Sequence, residues 1–283
     1  MNLLFSLNRN YIPTFLNCLK SIEERGGARH YSIHILHSDL NREDQERIRR
    51  SAGCSDFQFY NIDPAIFEGF PEFKRYPKEI YYRIIASLVL PDYIQRILYL
   101  DADIIVINPL TELYEQDFED KWFVACTHSD QFLQLVNQLR LGVVRSVPYI
   151  NTGVILYNLK RLRGKIDLDE IRDYTQSRKL TFILPDQDIF FGLYGEHIKL
   201  VDTMIYNLSD RILFFHNSDP ANIPVDLEWV RKNSVIIHYC GRNKPWKSNY
   251  HGLLGIFYYE LNPRLAEPVP ATAVVDNNLN SPE

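Results

Sequence analysis

An α/β fold, with a mostly parallel sheet and helices on both faces, is what the hydrophobic pattern of this chain predicts. Two observations carry the prediction. Short apolar runs alternate with segments of helical spacing through the first half, and this βαβαβ order produces parallel sheets covered on both sides. The chain is also long and apolar enough for one large domain, with 283 residues of which 46% are hydrophobic and 13% aromatic. Taken in order, Leu3–Leu7 reads as a strand, and Ile12, Phe15, Leu16, Leu19 and Ile22 recur at helical spacing until Gly26-Gly27 ends the segment. Tyr31–Leu36 reads as a second strand, Asn41–Ala52 as a charged helix and Phe57–Ile62 as a third strand. Ile80–Leu90 is helical and stops at Pro91, and Arg96–Leu100 is a buried strand. Phe123–Cys126, Val154–Tyr157 and Val235–His238 follow as strands. Leu168–Ser177, Asp186–Tyr194 and His251–Leu261 follow as helices. From Pro263 the composition turns to Pro, Ala, Asn and Ser, so the domain is expected to span residues 1–266 and residues 267–283 to form a flexible tail or linker.

Net charge is −5 and no long basic run occurs, which argues against a nucleic-acid partner. Cys18, Cys54, Cys126 and Cys240 are irregularly spaced, with no Cys-x-x-Cys pair, as suits a reducing compartment. The opening apolar run is only strand-length and lacks a basic segment before it, and no stretch reaches transmembrane length. A soluble cytoplasmic protein is the expectation.

Open α/β sheets bind ligands at the carboxyl ends of their strands. The first strand ends at Asn8 and a later one at Asp101, so both ends can face one crevice. Asp101-Ala102-Asp103 is the most informative tripeptide of the chain. Two carboxylates beside an apolar core require positive charge or a proton. A divalent ion with oxygen ligands, Mn²⁺ or Mg²⁺, would supply that charge. The plainer alternative makes Asp101 a strand cap and Asp103 a solvated turn residue, and the tripeptide alone does not choose. Asn151-Thr152-Gly153 precedes an apolar run. It reads either as a turn or as a place where a ligand approaches bare backbone at Gly153. Asp186-Gln187-Asp188 follows Pro185 as a helix start. An amide and carboxylates beside an aromatic stretch also suit a developing cationic sugar. His238 ends a strand, with Gly241 and Lys244 following in a loop closed by Pro245 and Trp246. An imidazole there can complete a metal site, and the Gly and Lys suit phosphate.

Together these motifs resemble glycosyltransferase family 8, the retaining transferases that use nucleotide-sugars. The matching pieces are Asn8-Arg9-Asn10-Tyr11, Tyr81-Tyr82-Arg83, Arg96 to Asp103, Tyr149 to Val154, Leu184 to Asp188 and His238 to Trp246, which span residues 1 to about 262. The resemblance implies a GT-A fold, a UDP-sugar donor, a glycan or glycoprotein acceptor, and a Mn²⁺ (or Mg²⁺) held by Asp101, Asp103 and His238. It implies that Tyr11 stacks on uracil with Asn8 and Asn10 near base and ribose. Asp101, Ala102, Asp103, Gly241 and Lys244 would lie at the metal and diphosphate. Arg83, Asn151, Asp186 and Gln187 would form the catalytic set around the transferred sugar, Gln187 nearest the reacting carbon. Some members direct a carboxylate at the sugar after the strand at Phe123–Cys126. Here His128, or Asp130 in a shifted register, stands there, which leaves glucose and galactose open.

The implied reaction moves a hexose to a hydroxyl with its anomeric configuration retained. The metal and Lys244 would neutralise charge on the departing UDP. Gln187 is a poor nucleophile, which favours front-side displacement with the departing phosphate taking the acceptor proton. Other readings are a nucleotide-sugar or glycan-binding module with little transfer, a nucleotidyltransferase on a similar scaffold, and a self-glucosylating primer protein. The last would show a mass shift on incubation with UDP-glucose and Mn²⁺. The variable segments 66–78, 131–148 and 208–229 are candidates for acceptor contacts.

Overall fold

The computed structural model describes residues 1–53, 55–71, 78–128, 131–143 and 147–262, with the side chains of residues 131–133 left out. Cys54, Asp130 and the expected tail lie outside the described residues. A seven-stranded sheet is formed by β1 (Asn2–Ser6), β2 (Tyr31–His37), β3 (Ser55–Asn61), β4 (Arg96–Leu100), β6 (Phe123–Thr127), β7 (Ile150–Asn158) and β8 (Ile198–Leu200). Its order is β3-β2-β1-β4-β7-β6-β8. Neighbouring strands are parallel except where β7 runs antiparallel to both β4 and β6. The mostly parallel sheet is therefore as the sequence predicts. β5 (Ile104–Val106) and β9 (Ile236–His238) form a separate antiparallel pair.

The buried strand runs divide by the alternation of side chains across a pleated sheet. Ile97, Tyr99, Ile155, Tyr157 and Phe123 pack into one layer, while Leu98, Leu100, Val154, Leu156 and Val124 pack into the other. Helix α1 (Ile12–Arg25) covers the second layer with Ile12, Phe15, Leu19 and Ile22. It ends at Gly26, where a side chain would strike Tyr31 and the Ile22 carbonyl, followed by Gly27 at φ +83°. Helix α2 (Arg42–Arg50) starts in a capping box between Asn41 and Asp44. A third core, with Leu213, Leu254 and Phe257, fills the space beneath β5 and β9.

Four segments differ from their sequence reading. Residues 80–90 form a 3₁₀ stretch, Lys78–Ile85, and one α turn, Ala86–Val89. Five successive residues, Tyr81 to Ile85, are buried. A free-standing amphipathic α-helix would expose some of them, and the tighter winding lets them pack among neighbours on every side. Asp186–Tyr194 divides into α-helix Pro185–Ile189 and a π turn, Phe190–Tyr194. Here Gly192 sits against the Tyr174 hydroxyl with no room for a Cβ. The terminal helix begins at Gly255 rather than His251. Asn151-Thr152-Gly153 is not a turn. It lies inside β7, where the pairing with β6 jumps from Ala125↔Ile155 to Cys126↔Asn151. Such irregularities redirect side chains, and this one sits beside the crevice.

Candidate active site

The carboxyl ends of β1 and β4 open onto a cleft of about 620 Å³. Its wall includes Asn8, Tyr11, Arg83, Asp101, Ala102, Asp103, Asn151, Asp186, Gln187, His238, Gly241 and Lys244, so these sequence candidates are brought together. Asn10 is exposed and does not line the cleft.

Strand pairing makes the centre of the site. β4 delivers Asp101, whose N–H donates to the Gly153 carbonyl at 2.8 Å. β5 and β9 pair Ile104 with His238, and Tyr239 N–H donates to the Asp103 carbonyl at 3.0 Å. One ligand atom from each of Asp101, Asp103 and His238 lies within 4.8 Å of the others. His238 Nε2 is 3.2 Å from Asp103 Oδ1 and 3.7 Å from Asp101 Oδ2. Each carboxylate has its other oxygen occupied. Asp101 Oδ1 accepts from Arg83 Nη2 and from the Tyr99 hydroxyl, both at 2.9 Å, and Asp103 Oδ2 accepts from Lys244 Nζ. The two remaining oxygens and Nε2 thus face one point. Gly153 forms the floor beneath them. A Cβ there would overlap His238 Cε1 and come within 2.7 Å of Asp101 Oδ2. The bare backbone anticipated for a ligand is therefore used by the side chains of His238 and Asp101 themselves.

With the His238 imidazole neutral, charge is not balanced in this cluster. Arg83 and Lys244 face the three carboxylates of Asp101, Asp103 and Asp186. Burial by itself would raise the Asp103 carboxyl, but His238 and Lys244 hold it well below the carboxylate range. Burial keeps Asp186 above that range despite Arg83 and the Thr152 hydroxyl. One more positive charge fits the arrangement, and two carboxylates with an imidazole suit a divalent ion.

Arg83 is 7% exposed, with both terminal nitrogens engaged and Nε buried without a partner among the described residues. Its Nη1 donates to the Thr152 carbonyl at 2.8 Å and lies 3.2 Å from Asp186 Oδ2, while its guanidinium stacks over Tyr99. Asp186 Oδ2 accepts from the Thr152 hydroxyl at 2.6 Å. Gln187 has no side-chain partner among the described residues and opens to the cleft. Asn8 Oδ1 is buried with no partner among the described residues, a polar group open to a ligand. Tyr11 is 42% exposed at the rim. His128 also lines the cleft; burial, assisted by His238, pushes its pKa down to about 3, so it is neutral.

Two features escaped the sequence. Asp188 is fully buried and is an anchor rather than a cleft residue: Arg140 grips it with Nη1 at 2.8 Å and Nη2 at 2.7 Å, and Tyr149 donates at 2.7 Å. Asn207, also fully buried, accepts from His238 Nδ1 at 2.8 Å. Asp188 sits in the Asp-Gln-Asp motif, which does not show its anchoring role, and Asn207 belongs to no motif with a readable spacing.

The mostly parallel sheet flanked by helices, with its acidic and imidazole side chains at the strand ends, is the GT-A fold of glycosyltransferases. Residues 2–250 match the model for glycosyl transferase family 8, and the chain is a member of that family. It is 26% identical over 255 residues to the lipopolysaccharide 1,2-glucosyltransferase of Escherichia coli, covering 87% of this chain and 73% of that protein. The lipopolysaccharide 1,3-galactosyltransferase of Salmonella typhimurium is 24% identical over 264 residues, with the same coverage of each chain. Among solved structures, the galactosyltransferase LgtC in complex with donor and acceptor sugar analogues superposes with a TM-score of 0.76 at 26% identity, covering 96% of this chain and 98% of that one.

Proposed function

We propose that this glycosyltransferase moves glucose or galactose from a UDP-sugar to a hydroxyl of a glycan or glycoprotein acceptor, with retention of configuration and with Mn²⁺. The observation that carries the reading is the convergence of Asp101, Asp103 and His238 within 4.8 Å on the wall of the cleft. Relatives named as glucosyl- and galactosyltransferases of lipopolysaccharide support a hexose donor. Asp101, Asp103 and His238 would hold the ion, and Mg²⁺ would suit the same oxygens. When bound, it supplies Lewis-acid stabilisation of the charge that grows on the leaving diphosphate.

The chain's own residues do the rest. Tyr11 stacks on the uracil, and the unpartnered Asn8 Oδ1 accepts from the base. Asn10, on the exposed side of the same loop, is assigned to the ribose only through the family resemblance. Lys244 donates to diphosphate oxygens, and Gly241, at φ +87° with open space where a Cβ would be, lets them approach the backbone. Arg83 holds Asp101 and Asp186 in place from below. Asp186 and Asn151 border the sugar, and Gln187 offers its amide oxygen beside the anomeric carbon. An active-site glutamine-to-glutamate variant of LgtC superposes with a TM-score of 0.77 and supports a glutamine there. A weakly basic amide favours front-side displacement over a stable covalent intermediate. A cytoplasmic location belongs to the same proposal, supported by the free thiols of Cys18, Cys126 and Cys240.

The test is a donor screen that measures UDP release from UDP-glucose, UDP-galactose and their N-acetyl forms with Mn²⁺. Turnover should appear with one hexose donor, and Asp103→Ala should abolish it. Equal Mn²⁺-dependent hydrolysis in that variant would overturn the metal assignment.

A further inference from the structure

We propose that Asn207 is a positioning residue that holds a proton on His238 Nδ1 and so directs the Nε2 lone pair at the metal. This rests on the metal reading above. Gly153 N–H donates to Asn151 Oδ1 at 3.0 Å, and because a backbone amide only donates, the atom facing it is the oxygen. Asn207 approaches that same oxygen with its amide nitrogen at 3.0 Å. The oxygen of Asn207 must therefore point the other way, where it meets His238 Nδ1 at 2.8 Å. An amide oxygen accepts and does not donate, so Nδ1 bears the hydrogen. Nε2 is then the ring atom with a lone pair to offer, and it faces Asp101 and Asp103.

Local structure fixes Asn207 at this spot. Leu208 forms a parallel bridge with Ile237, donating to the Ile236 carbonyl at 3.0 Å and accepting from His238 N–H at 2.7 Å. Asn207 consequently runs beside β9 next to His238. Its own N–H is bonded to the Thr203 carbonyl, and its carbonyl accepts from His128 Nε2 at 2.9 Å. Asn151, Asn207 and His238 are 8%, 0% and 2% exposed, so a reversed amide would leave buried groups facing like groups. Asn151, assigned to the sugar above, also keys this chain.

The experiment uses the full chain labelled with ¹⁵N-histidine. Long-range ¹H–¹⁵N spectra report whether His238 Nδ1 is protonated, without metal and with saturating diamagnetic Mg²⁺, and an EPR titration gives Mn²⁺ affinity. In the wild type, Nδ1 should carry its proton in both conditions. Asn207→Ala should lose that fixed signature and bind Mn²⁺ about ten- to a hundredfold more weakly. A bare Nδ1 in the wild type would overturn the proposal, and this spectrum decides by itself if Asn207→Ala fails to fold. Weaker Mn²⁺ binding with the Nδ1 signature unchanged would also overturn it, since Asn207 would then be a support for the loop only. A wild-type ring protonated at Nδ1 in a chain that binds neither cation would instead overturn the metal reading and leave the ring assignment standing.

Discussion

Asp186 combines near-complete burial with a carboxyl raised above its ordinary range, because burial outweighs the nearby Arg83 and Thr152. Its folded pKa thus lies above the unfolded value of about 3.9. Such a group contributes stability below the unfolded pKa and loses it as pH rises through the folded pKa. At neutral pH the ionised side chain is a cost carried by the fold. Asp186→Asn should therefore raise stability to denaturant at pH 7, converge with wild type below about pH 4, and yet lose most transfer. Stability unchanged across this range together with wild-type turnover would remove Asp186 from the site. Gly153 carries a second expectation at this scale. With no room for a Cβ between His238 and Asp101, Gly153→Ala should weaken Mn²⁺ binding at least as severely as loss of one ligand, read by EPR titration. The sequence marks Gly153 as special because it precedes an apolar run, but the reason for its bareness lies in residues 52 positions before and 85 after it, which no local reading supplies.

At the level of elements, the short helix Pro185–Ile189 has to present Asp186 and Gln187 to the cleft, although its N-cap, Leu184, provides no side-chain cap. Asp188 supplies the missing restraint. It accepts from Ile183 N–H at 2.8 Å and Leu184 N–H at 3.3 Å while Arg140, on helix Gln131–Leu141, closes the pair. Removing one partner of a buried ion pair typically costs about 3–5 kcal/mol. Arg140→Met should reduce unfolding free energy on that scale and lower transfer by letting the helix start drift, while UDP affinity, set across the cleft, changes little. A chemical denaturation curve and a UDP titration on the same variant separate these effects, and an unchanged denaturation midpoint would rule out the anchor. The motif Asp-Gln-Asp was legible as unusual, since capping explains only one of its carboxylates. Which Asp faces the cleft came only from the family resemblance, which named Asp186; the motif itself does not choose, because the answer depends on an arginine 48 residues away. Strands β1 to β4 were legible because buried runs bounded by turns leave little choice. The 3₁₀ stretch at Lys78–Ile85 was not, since its apolar spacing mimics a helix and its burial is decided by what packs around it.

For the molecule as a whole, the site is assembled from the loop after β1, the ends of β4 and β9, the irregular part of β7 and the start of the helix at Pro185. Alternating strands and helices made the crevice foreseeable, and residue types at the strand ends suggested its chemistry. The two-stranded sheet that sets His238 against the Asp-Ala-Asp segment needed coordinates, because a pairing across 134 residues leaves no periodic trace. A ligand that spans these segments ties distant parts of the chain together and should stabilise the fold by mass action. A ligand at about a hundredfold excess over its dissociation constant adds about 2.7 kcal/mol. In a chain of this size that corresponds to a rise in Tm of about 5 °C. UDP alone brings a diphosphate towards Asp101, Asp103 and Asp186, where negative charge already exceeds the positive charge of Arg83 and Lys244. UDP with EDTA should thus shift Tm very little, Mn²⁺ alone modestly, and the two together by more than the sum of their separate shifts. Asp103→Ala should abolish the excess, whatever its own starting Tm. The comparison is a thermal melt of both proteins in four conditions: no ligand, UDP with EDTA, Mn²⁺, and UDP with Mn²⁺. If UDP raised Tm equally with EDTA and with Mn²⁺, nucleotide binding would not pass through the Asp101–Asp103–His238 cluster, and the coupling between the two halves of the cleft would have to be abandoned.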